Sequence, residues 1–463
     1  MSRLIVISNR VSAPQGSHSG AQGGLAVALE SALREMGGIW FGWSGEQIES
    51  FSGQVNLQRG DGYTTATVDL EEQDIDEYYN GYANRTLWPL FHYRIDLAEY
   101  ERGFAGGYQR VNERFAETVR PLVEAEDSVW IQDYHMIPLG QELRKRGCRN
   151  RIGFFLHTPW PPRRLLATLP EAHELVETLF AYDVIGFHTE EWLQSFCDFA
   201  TIEMGATSEE GGDVIRYRGR SVRVMICPIG IDADAFRKLS ESETARRTCE
   251  QMQLSAVGRA MIVGVDRLDY SKGLEERFLG YERFLTEHPE ERKLVFLLQI
   301  APPSRASVQS YQHIRNALEG LSGRINGAHA DLDWVPIRYV NQGYPRDVLA
   351  GVYRASRIGL VTPLRDGMNL VAKEYVAAQD PEDPGVLILS RFAGAAEQMR
   401  EAVLVNPYSA EEISDAILTA LQMPRDERIR RWRAMMDGIE REDVMWWRKR
   451  FTDALTAVPV AAE

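Results

Sequence analysis

Short apolar runs alternate with amphipathic stretches along most of the chain. The runs are rich in β-branched residues, and most lead through a polar loop into a helical pattern. The predicted strands are Leu4–Ile7, Ser128–Asp133, Arg151–His157, Asp183–His188, Val222–Cys227, Met261–Val265, Lys293–Ile300, Val335–Val340, Ile358–Thr362, Val386–Ser390 and Val403–Val405, and a further strand and turn is predicted at Trp40–Gly45. Nearly continuous apolar strands that alternate with helices predict an α/β fold with parallel sheets covered on both faces.

The alternation is clear from residue 127 onward and stops between residues 232 and 260, where charge rises and no strand pattern occurs. A chain of 463 residues also exceeds what one hydrophobic core usually supports. We therefore predict two doubly wound, Rossmann-like domains, at residues 1–232 and 233–444, facing each other across a deep cleft. The helical tail at about 445–463 is predicted to cross back onto the first domain.

A strand, a polar turn and a helix follow one another around residues 358–378. The turn contains Asp366, the helix is predicted to begin near Asn369, and Glu374 lies inside it. A helix N-terminus offers unpaired N–H groups and a positive dipole end, which suit a phosphate. Ionised carboxylates accept hydrogen bonds from the hydroxyls of a sugar. The alternative interpretation is an ordinary strand–turn–helix unit with solvated carboxylates.

Polar side chains also stand at predicted strand ends in the first half: Arg10, Asp133 and His157. Ligands of parallel sheets bind at the carboxyl ends of the strands, which favours a site there over three structural residues. A glycine-rich segment ends in Gly23-Gly24 before a helical pattern, as in a phosphate-binding turn. It contains neither G-x-G-x-x-G nor a Walker lysine, so a plain flexible loop is the alternative.

Cationic side chains recur in the loops that follow the strands of the second half. Arg267 and Lys272 precede one helix, and with the helix start at Leu370 they could neutralise a diphosphate. Arg10 and Arg305 remain for a second phosphorylated ligand. Taken one at a time, each cation could equally be a solvated surface charge. No D-x-D motif stands at a strand end, and we predict neither a metal nor a cofactor.

Composition narrows the function classes. The net charge of -15 argues against non-specific binding to nucleic acid or to an anionic membrane. The four cysteines are far apart and form no C-x-x-C pair, which favours a reducing compartment. The N-terminal apolar run is too short for a signal peptide, and no run approaches membrane-spanning length. We expect a soluble cytoplasmic protein.

Seven motifs together resemble the trehalose-6-phosphate synthase family of retaining GT-B glycosyltransferases over nearly the whole chain. They are Ser8-Asn-Arg10, Gly23-Gly-Leu25, Trp40-Phe-Gly-Trp-Ser-Gly45, Asp133-Tyr-His135, His157-Thr-Pro159, Arg267-Leu-Asp-Tyr-Ser-Lys-Gly273 and Asp366-Gly-Met-Asn-Leu-Val-Ala-Lys-Glu374. The resemblance implies transfer of glucose from UDP-glucose to glucose 6-phosphate with retention, giving trehalose 6-phosphate and UDP. Departures from the family pattern are Gln132 in place of an expected histidine and Trp160 in place of a usual phenylalanine.

The resemblance also implies a role for each site residue. On the donor side, the resemblance implies that a loop with Gly23 and Gly24 closes on the diphosphate and that Arg267 and Lys272 bind it. It also implies that Tyr344 lies near the base and that Glu374 contacts the ribose. The start of the helix would face the nucleotide with Leu370, Val371, Ala372 and Lys373. Asp366 and His157 are expected to contact the transferred glucose. The acceptor residues are expected to be Arg10, Tyr79, Trp88, Asp133 and Arg305, with both arginines on the 6-phosphate. The implied transfer keeps the leaving phosphate and the incoming hydroxyl on one face of the sugar, without a covalent enzyme nucleophile.

Three alternatives remain at this stage. A sister enzyme such as glucosylglycerol-phosphate synthase would use another acceptor, glycerol 3-phosphate. A non-catalytic regulatory homologue would lack site residues that this sequence contains, and a sugar-nucleotide epimerase would not need the acceptor arginines. We further expect a homo-oligomer, a dimer or a tetramer. No phosphatase domain follows the predicted fold, so a separate trehalose-6-phosphate phosphatase is expected to act on the product.

Overall fold

A computed structural model of the chain describes residues 3–458, apart from 12–25, 27–28, 31–32, 35–36, 61, 210 and 305–308. The chain divides into two compact units. The first contains the N-terminal strand, the chain as far as Pro228 and the segment from Trp447 onward. The second contains Ile229–Trp446.

The first unit is built on a mostly parallel sheet. Its strands are β1 (Leu4–Arg10), β2 (Gly38–Ile48), β3 (Asn56–Arg59), β4 (Thr64–Glu71), β5 (Ser128–Gln132), β6 (Ile152–Phe155), β7 (Val184–Phe187), β8 (Thr207–Ser208), β9 (Val214–Tyr217) and β10 (Arg220–Ile226). The sheet order is β3-β4-β2-β1-β5-β6-β7-β10-β9-β8, and β3, β8 and β9 pair antiparallel at the two edges. Strand order reverses at β1, which lies between β2 and β5 and so marks a switch point where ligands commonly bind.

The second unit is built on a parallel sheet. Its strands are β11 (Ala260–Val265), β12 (Val295–Ile300), β13 (Ile337–Val340), β14 (Ile358–Val361), β15 (Val386–Ser390) and β16 (Val403–Val405). The order is β13-β12-β11-β14-β15-β16, so the switch point of this sheet lies between β11 and β14.

Helices cover both sheets. In the first unit they are Glu72–Asp74, Ile75–Leu87, Trp88–Phe91, Arg102–Val119, Leu139–Lys145, Arg163–Leu166, Ala172–Leu179, Glu190–Asp198 and Phe199–Glu203. In the second unit they are Ala233–Ser240, Glu243–Ala256, Leu274–Glu287, Gln309–His329, Arg346–Ala355, Leu370–Ala378, Ala395–Gln398, Ala410–Gln422 and Arg425–Arg441. A last helix, Val444–Ala457, runs from the second unit into the first.

The predicted α/β class and the principal parallel strands are confirmed. The sequence predicts helical structure from about Ile429 to Leu455, and this segment is helical but divided in two, because the chain breaks at Glu442, whose φ and ψ are -116° and 55°. Asp443 Oδ1 then accepts the N–H of Trp446 at 2.7 Å and caps the final helix. That helix returns to the first unit, where Trp447 and Phe451 pack 4.8 and 4.7 Å from the Trp130 ring.

The sequence predicts an N-cap at Thr189 and a capping box formed by Ser409 and Glu412. Thr189 caps the Glu190–Asp198 helix through the N–H of Trp192, as predicted. Ser409 accepts the N–H of Glu412, but the Glu412 carboxylate turns away and accepts the N–H of Asn406 at 2.8 Å. The predicted reciprocal capping box is therefore only half formed. None of the described helices is long and apolar enough to span a bilayer.

Candidate active site

Three sequence-predicted residues of the first unit lie at the carboxyl ends of neighbouring strands. Arg10 is the exposed last residue of β1, Asp133 directly follows β5, and His157 lies two residues beyond β6. The strands β1, β5 and β6 are consecutive in the sheet. The backbone N–H of His157 donates to Asp133 Oδ1 at 3.2 Å, so these two residues are in direct contact.

The Arg10 guanidinium is held in a setting made by the Trp-Ser-Gly motif of β2. Its central carbon lies 5.4 Å from the centre of the Trp43 ring, a cation–π distance. Gly45 has a φ of 97°, and a Cβ at that position would lie 2.2 Å from an Arg10 nitrogen. The positive φ favours glycine here, and a side chain at position 45 would displace the guanidinium from this place.

Aromatic rings surround the same edge of the sheet. Tyr79 lies on the Ile75–Leu87 segment, a π-helix, a conformation that is frequent at functional sites. Its ring stacks on His135 at 6.1 Å and meets the edge of Trp43 at 5.6 Å, which places it beside the Arg10 setting. Trp88 is 6% exposed and packs 5.6 Å from the Tyr134 ring. Trp88 thus offers a ligand much less surface than Tyr79.

The His157 ring has a side-chain partner that the sequence did not reveal. Gln132, the last residue of β5, is fully buried, and its Oε1 lies 2.9 Å from His157 Nε2. Burial lowers the pKa of His157 to about 3, so the ring is neutral at physiological pH. In the sequence, the only signal at Gln132 was that the resembled family leads one to expect a histidine there. Its contact with His157 depends on the register between β5 and β6.

In the second unit, the loops after β11 and β14 meet at an ion pair. Lys272 Nζ donates to Asp366 Oδ2 at 2.5 Å, and both side chains are largely buried. The Asn369 amide donates to the same oxygen at 3.0 Å. The backbone of Asp366 is anchored on both sides, by bonds to Phe392 and Gly394. The sequence prediction identified the two charged residues but not their pairing.

A buried arginine supports the Lys272 loop from beneath. Arg277 is fully buried, and its Nη1 lies 2.8 Å from Asp266 Oδ2 and 2.8 Å from Gln299 Oε1. Its Nε donates to Thr362 Oγ1 at 3.0 Å, and its Nη2 lies 3.5 Å from the carbonyl oxygen of Lys272. Arg277 therefore joins the ends of β11, β12 and β14 beneath the ion pair.

Gly273 brings that loop against the neighbouring strand. Its φ is 62°, and a Cβ there would lie 2.3 Å from the carbonyl oxygen of Thr362. The Leu274–Glu287 helix begins directly after it. Asp266, just beyond β11, is also buried, and this burial raises its pKa although Arg277 opposes the shift. The loop thus rests on a polar network that was not predicted, because a helical arginine normally faces solvent.

The helix predicted near Asn369 spans Leu370–Ala378, with Asn369 as its N-cap. Asn369 has a φ of 79°, and its Oδ1 accepts the N–H of Ala372 at 3.1 Å. The N–H groups of Leu370 and Val371 belong to the first helical turn, which has no intrahelical acceptor. These groups can serve an anion.

The side chain of Lys373 does not share this role. It is 1% exposed, and its Nζ donates to the carbonyl oxygen of Ile229 at 2.8 Å and to Gln398 Oε1 at 2.7 Å. Any part of Lys373 in ligand binding is therefore limited to its backbone, which narrows the sequence prediction for this residue. Burial lowers the pKa of Lys373 to about 7, with Glu442 opposing the shift.

The lowered pKa of Lys373 predicts a pH-dependent stability. Between pH 7 and 10.5 the unfolded chain binds a proton at Lys373 that the folded chain releases, so folding becomes more favourable as pH rises. In the parent chain this contribution changes the free energy of unfolding by up to about 1.4 kcal/mol per pH unit, and Lys373→Met removes it. The measurement is the unfolding free energy from denaturant titrations at several pH values in this range. The exposed Lys449, paired with Asp453, gives the control Lys449→Met. Equal pH slopes for parent and Lys373→Met would contradict the prediction.

The remaining predicted donor residues lie on the same sheet edge. Arg267 is exposed in the loop after β11, and Tyr344 is half-buried in the loop after β13. Glu374 Oε1 accepts from Arg346 Nη2 at 2.9 Å, and burial raises the pKa of Glu374 while Arg346 opposes the rise. Arg346 was not singled out in the sequence. It compensates the charge of a carboxylate that would otherwise be poorly solvated.

Three predicted residues, Gly23, Gly24 and Arg305, lie outside the described part of the chain. Within that part, no cluster of three or more histidine, cysteine, aspartate or glutamate side chains could hold a metal ion. Cys148, Cys197 and Cys227 are buried free thiols, and Cys249 is a partly exposed one.

Comparisons with known proteins agree over the full length. The model of glycosyltransferase family 20 matches residues 3–457. The trehalose-6-phosphate synthase of Sinorhizobium fredii is 48% identical over 460 residues, covering 99% of each chain. A Burkholderia xenovorans structure of an α,α-trehalose-phosphate synthase (UDP-forming) in complex with glucose 6-phosphate has a TM-score of 0.95 at 47% identity, covering 98% of this chain and 100% of that one. An E. coli structure bound with UDP-2-fluoro glucose has a TM-score of 0.94 at 43% identity, covering 99% of this chain and 100% of that one.

Proposed function

The chain belongs to glycosyltransferase family 20, and on that premise we propose that it transfers glucose from UDP-glucose to glucose 6-phosphate with retention. The products are trehalose 6-phosphate and UDP. The observation that carries the proposal is the 48% identity to a trehalose-6-phosphate synthase over 99% of both chains. Similar solved structures hold glucose 6-phosphate in one case and UDP-2-fluoro glucose in another.

The donor would be bound by residues 233–444. Arg267 and Lys272 would hold the diphosphate, together with the first-turn N–H groups of Leu370 and Val371. The N–H of Ala372 is already bonded to Asn369 Oδ1, so Ala372 and Lys373 would line the donor site through their backbones. A lysine ammonium has three donors. Lys272 can therefore keep its 2.5 Å bond to Asp366 while it donates to a phosphate oxygen. The Glu374 carboxylate would accept from the ribose hydroxyls, Tyr344 would lie near the base, and Gly23 and Gly24 would close on the diphosphate.

The acceptor would be bound by residues 1–232, joined by the helix at 445–463. Tyr79, Trp88 and Asp133 would contact the sugar, and Arg10 and Arg305 its 6-phosphate. The placement of Arg10 over Trp43 supports this role, because the cation–π contact keeps the guanidinium at the strand end. Planar guanidinium groups bind phosphate in a bidentate manner.

Chemistry in this proposal depends on charge stabilisation. The bond between the glucose anomeric carbon and the phosphate oxygen breaks, the acceptor hydroxyl adds on the same face of the sugar, and its proton passes to the leaving phosphate. Arg267 and Lys272 would stabilise the negative charge that develops on the leaving phosphate. Asp366 and His157 would orient the transferred glucose through its hydroxyls. Asp366, already bonded to Lys272 and Asn369, is a holding group rather than a nucleophile.

An acceptor panel tests this function. We expect the purified full chain to release UDP from UDP-glucose when glucose 6-phosphate is present, and equally well in the presence of a metal chelator. The same assay with ADP-glucose and GDP-glucose establishes the donor preference. Release with glycerol 3-phosphate but not with glucose 6-phosphate would favour a glucosylglycerol-phosphate synthase. No release with any acceptor would favour a non-catalytic homologue, and UDP-sugar isomers formed without an acceptor would favour an epimerase.

We also propose that the enzyme works in the cytoplasm as a homo-oligomer and that a separate phosphatase removes phosphate from its product. Three buried free thiols support a reducing compartment. Light scattering coupled to gel filtration measures the oligomeric state directly. A monomer at micromolar concentration would contradict that part of the proposal.

A further inference from the structure

We propose that Gln132 is a positioning residue that holds the His157 ring with its proton on Nε2, leaving Nδ1 to accept a hydrogen bond from a hydroxyl of the transferred sugar. The inference deepens the proposed function and rests on it for the identity of the ligand. The ring tautomer itself can be measured without any substrate.

The contact between the two side chains defines the tautomer. Gln132 Oε1 lies 2.9 Å from His157 Nε2, and a carboxamide oxygen can only accept a hydrogen bond. In this orientation of the amide, Nε2 donates to Gln132 Oε1 and carries the proton of the ring. The pairing of Gln132 with Phe155 in the parallel register of β5 and β6 places the two side chains at the same sheet edge.

The environment of the ring keeps it neutral. The rings of Phe155, His188 and Trp447 lie 4.7, 5.3 and 5.9 Å from it. The carboxylate of Asp133 accepts the backbone N–H of His157. Burial lowers the pKa of the ring to about 3, so one nitrogen bears the only proton. With that proton on Nε2, Nδ1 is an acceptor.

Fold stability does not explain Gln132. The side chain is fully buried, and within the described part of the chain its Nε2 has no hydrogen-bond partner. A buried donor without a partner destabilises the fold relative to an apolar side chain of the same shape. Glutamine at this position is therefore better explained by its bond to His157 than by packing.

The residue type at position 132 determines which tautomers of His157 are possible. The resembled family leads us to expect histidine there, and a histidine nitrogen can either donate or accept. A histidine would thus permit either tautomer of His157. The glutamine oxygen permits one, so this chain would fix Nδ1 as the acceptor that faces a sugar hydroxyl.

The first experiment is nitrogen NMR of the ligand-free full chain labelled with ¹⁵N-histidine. The His157 signals are identified by their loss in His157→Gln. We expect Nε2 to show the shift of a protonated nitrogen and Nδ1 that of an unprotonated one. The opposite assignment would mean that the Gln132 amide donates to the ring, and would overturn the proposal. Because no turnover is required, this result is independent of the proposed function.

The second experiment is steady-state kinetics of Gln132→Met, which removes the acceptor but keeps the shape. We expect kcat to fall about 10- to 100-fold, the size of effect found when the partner that orients a metal-ligating histidine is removed. KM for glucose 6-phosphate should not rise, and the melting temperature should not fall. Gln194→Met, at an exposed glutamine of the same unit, is the control. Unchanged kcat in Gln132→Met, or a loss of kcat that follows a loss of melting temperature, would overturn the proposal.

Gln132→Glu separates orientation from charge. A carboxylate also accepts from Nε2–H, so the tautomer should persist and kcat should recover toward the parent value at high pH. The added negative charge raises the pKa of the ring, so kcat should fall at low pH where the parent is unaffected. Failure of Gln132→Glu to recover any activity over Gln132→Met would contradict the positioning role.

Discussion

Lys272→Ala is expected to reduce kcat by about 10²- to 10³-fold, the effect of removing one preorganised donor from a developing negative charge. The proposed leaving group is a phosphate, and the Lys272 ammonium is already fixed by its 2.5 Å bond to Asp366. The side chain is largely buried, so water cannot replace the lost charge at equal strength. We therefore expect the transition state to lose more stabilisation than the bound donor.

The measurement is kcat and KM for UDP-glucose at saturating glucose 6-phosphate, with UDP affinity from calorimetry. Lys293→Ala is the matched control, because Lys293 also pairs with an aspartate, Asp331, but at an exposed position of the same unit. It should retain full activity. A drop in Lys272→Ala no larger than in Lys293→Ala would contradict the assignment. Lys272→Arg should recover only part of the kcat lost in Lys272→Ala, since a guanidinium cannot occupy the same point between Asp366 and a phosphate.

Arg277→Met is expected to reduce the free energy of unfolding by about 3–5 kcal/mol, because it leaves the buried Asp266 carboxylate without its cation. Arg277 is fully buried and also bonds to Gln299 and Thr362, so three strand ends lose a common partner. The shift in melting temperature should be roughly 6–20 °C. Calorimetry or circular dichroism on the purified chain measures it.

Two further variants separate the charge from the packing. Asp266→Asn combined with Arg277→Met removes the uncompensated charge and should recover part of the lost stability. Arg283→Met lies on the same helix but breaks the partly exposed pair with Glu287, and should change the unfolding free energy by no more than about 1 kcal/mol. Equal destabilisation by Arg277→Met and Arg283→Met would show that the buried network contributes no more to the free energy of unfolding than a partly exposed ion pair.

The two predictions address one loop in different ways. Lys272 acts on the ligand, whereas Arg277 holds the loop through Asp266 and lies 3.5 Å from the Lys272 carbonyl oxygen. If the loop must be fixed for activity, Arg277→Met should lose kcat even at temperatures where it remains folded. A ligand role and a scaffold role are then distinguishable by the melting curves.

Local sequence patterns located most of the strands but missed the antiparallel strands of the first sheet. The parallel strands are continuous apolar runs, so their periodicity is visible without any tertiary context. The antiparallel strands β3 and β9 have exposed or mixed residues and escaped prediction, because what defines them is pairing with β4 and β10. The helical segment at 75–91 was likewise hidden, since its aromatic residues mix with polar ones in no helical period.

By itself the sequence determined the fold class, the strand ends that carry Arg10, Asp133, His157 and Lys272, and the helix start at Asn369. These features depend on apolar runs and on turn and capping chemistry, which act over a few residues. Tertiary structure decided which side chains meet. The pairing of Lys272 with Asp366, the burial of Lys373 away from the helix start and the contact of Gln132 with His157 depend on strand order and register, which bring distant segments together. No local sequence pattern shows which of these side chains will pair, because partners that are distant in the sequence come together only when the strands assemble into a sheet.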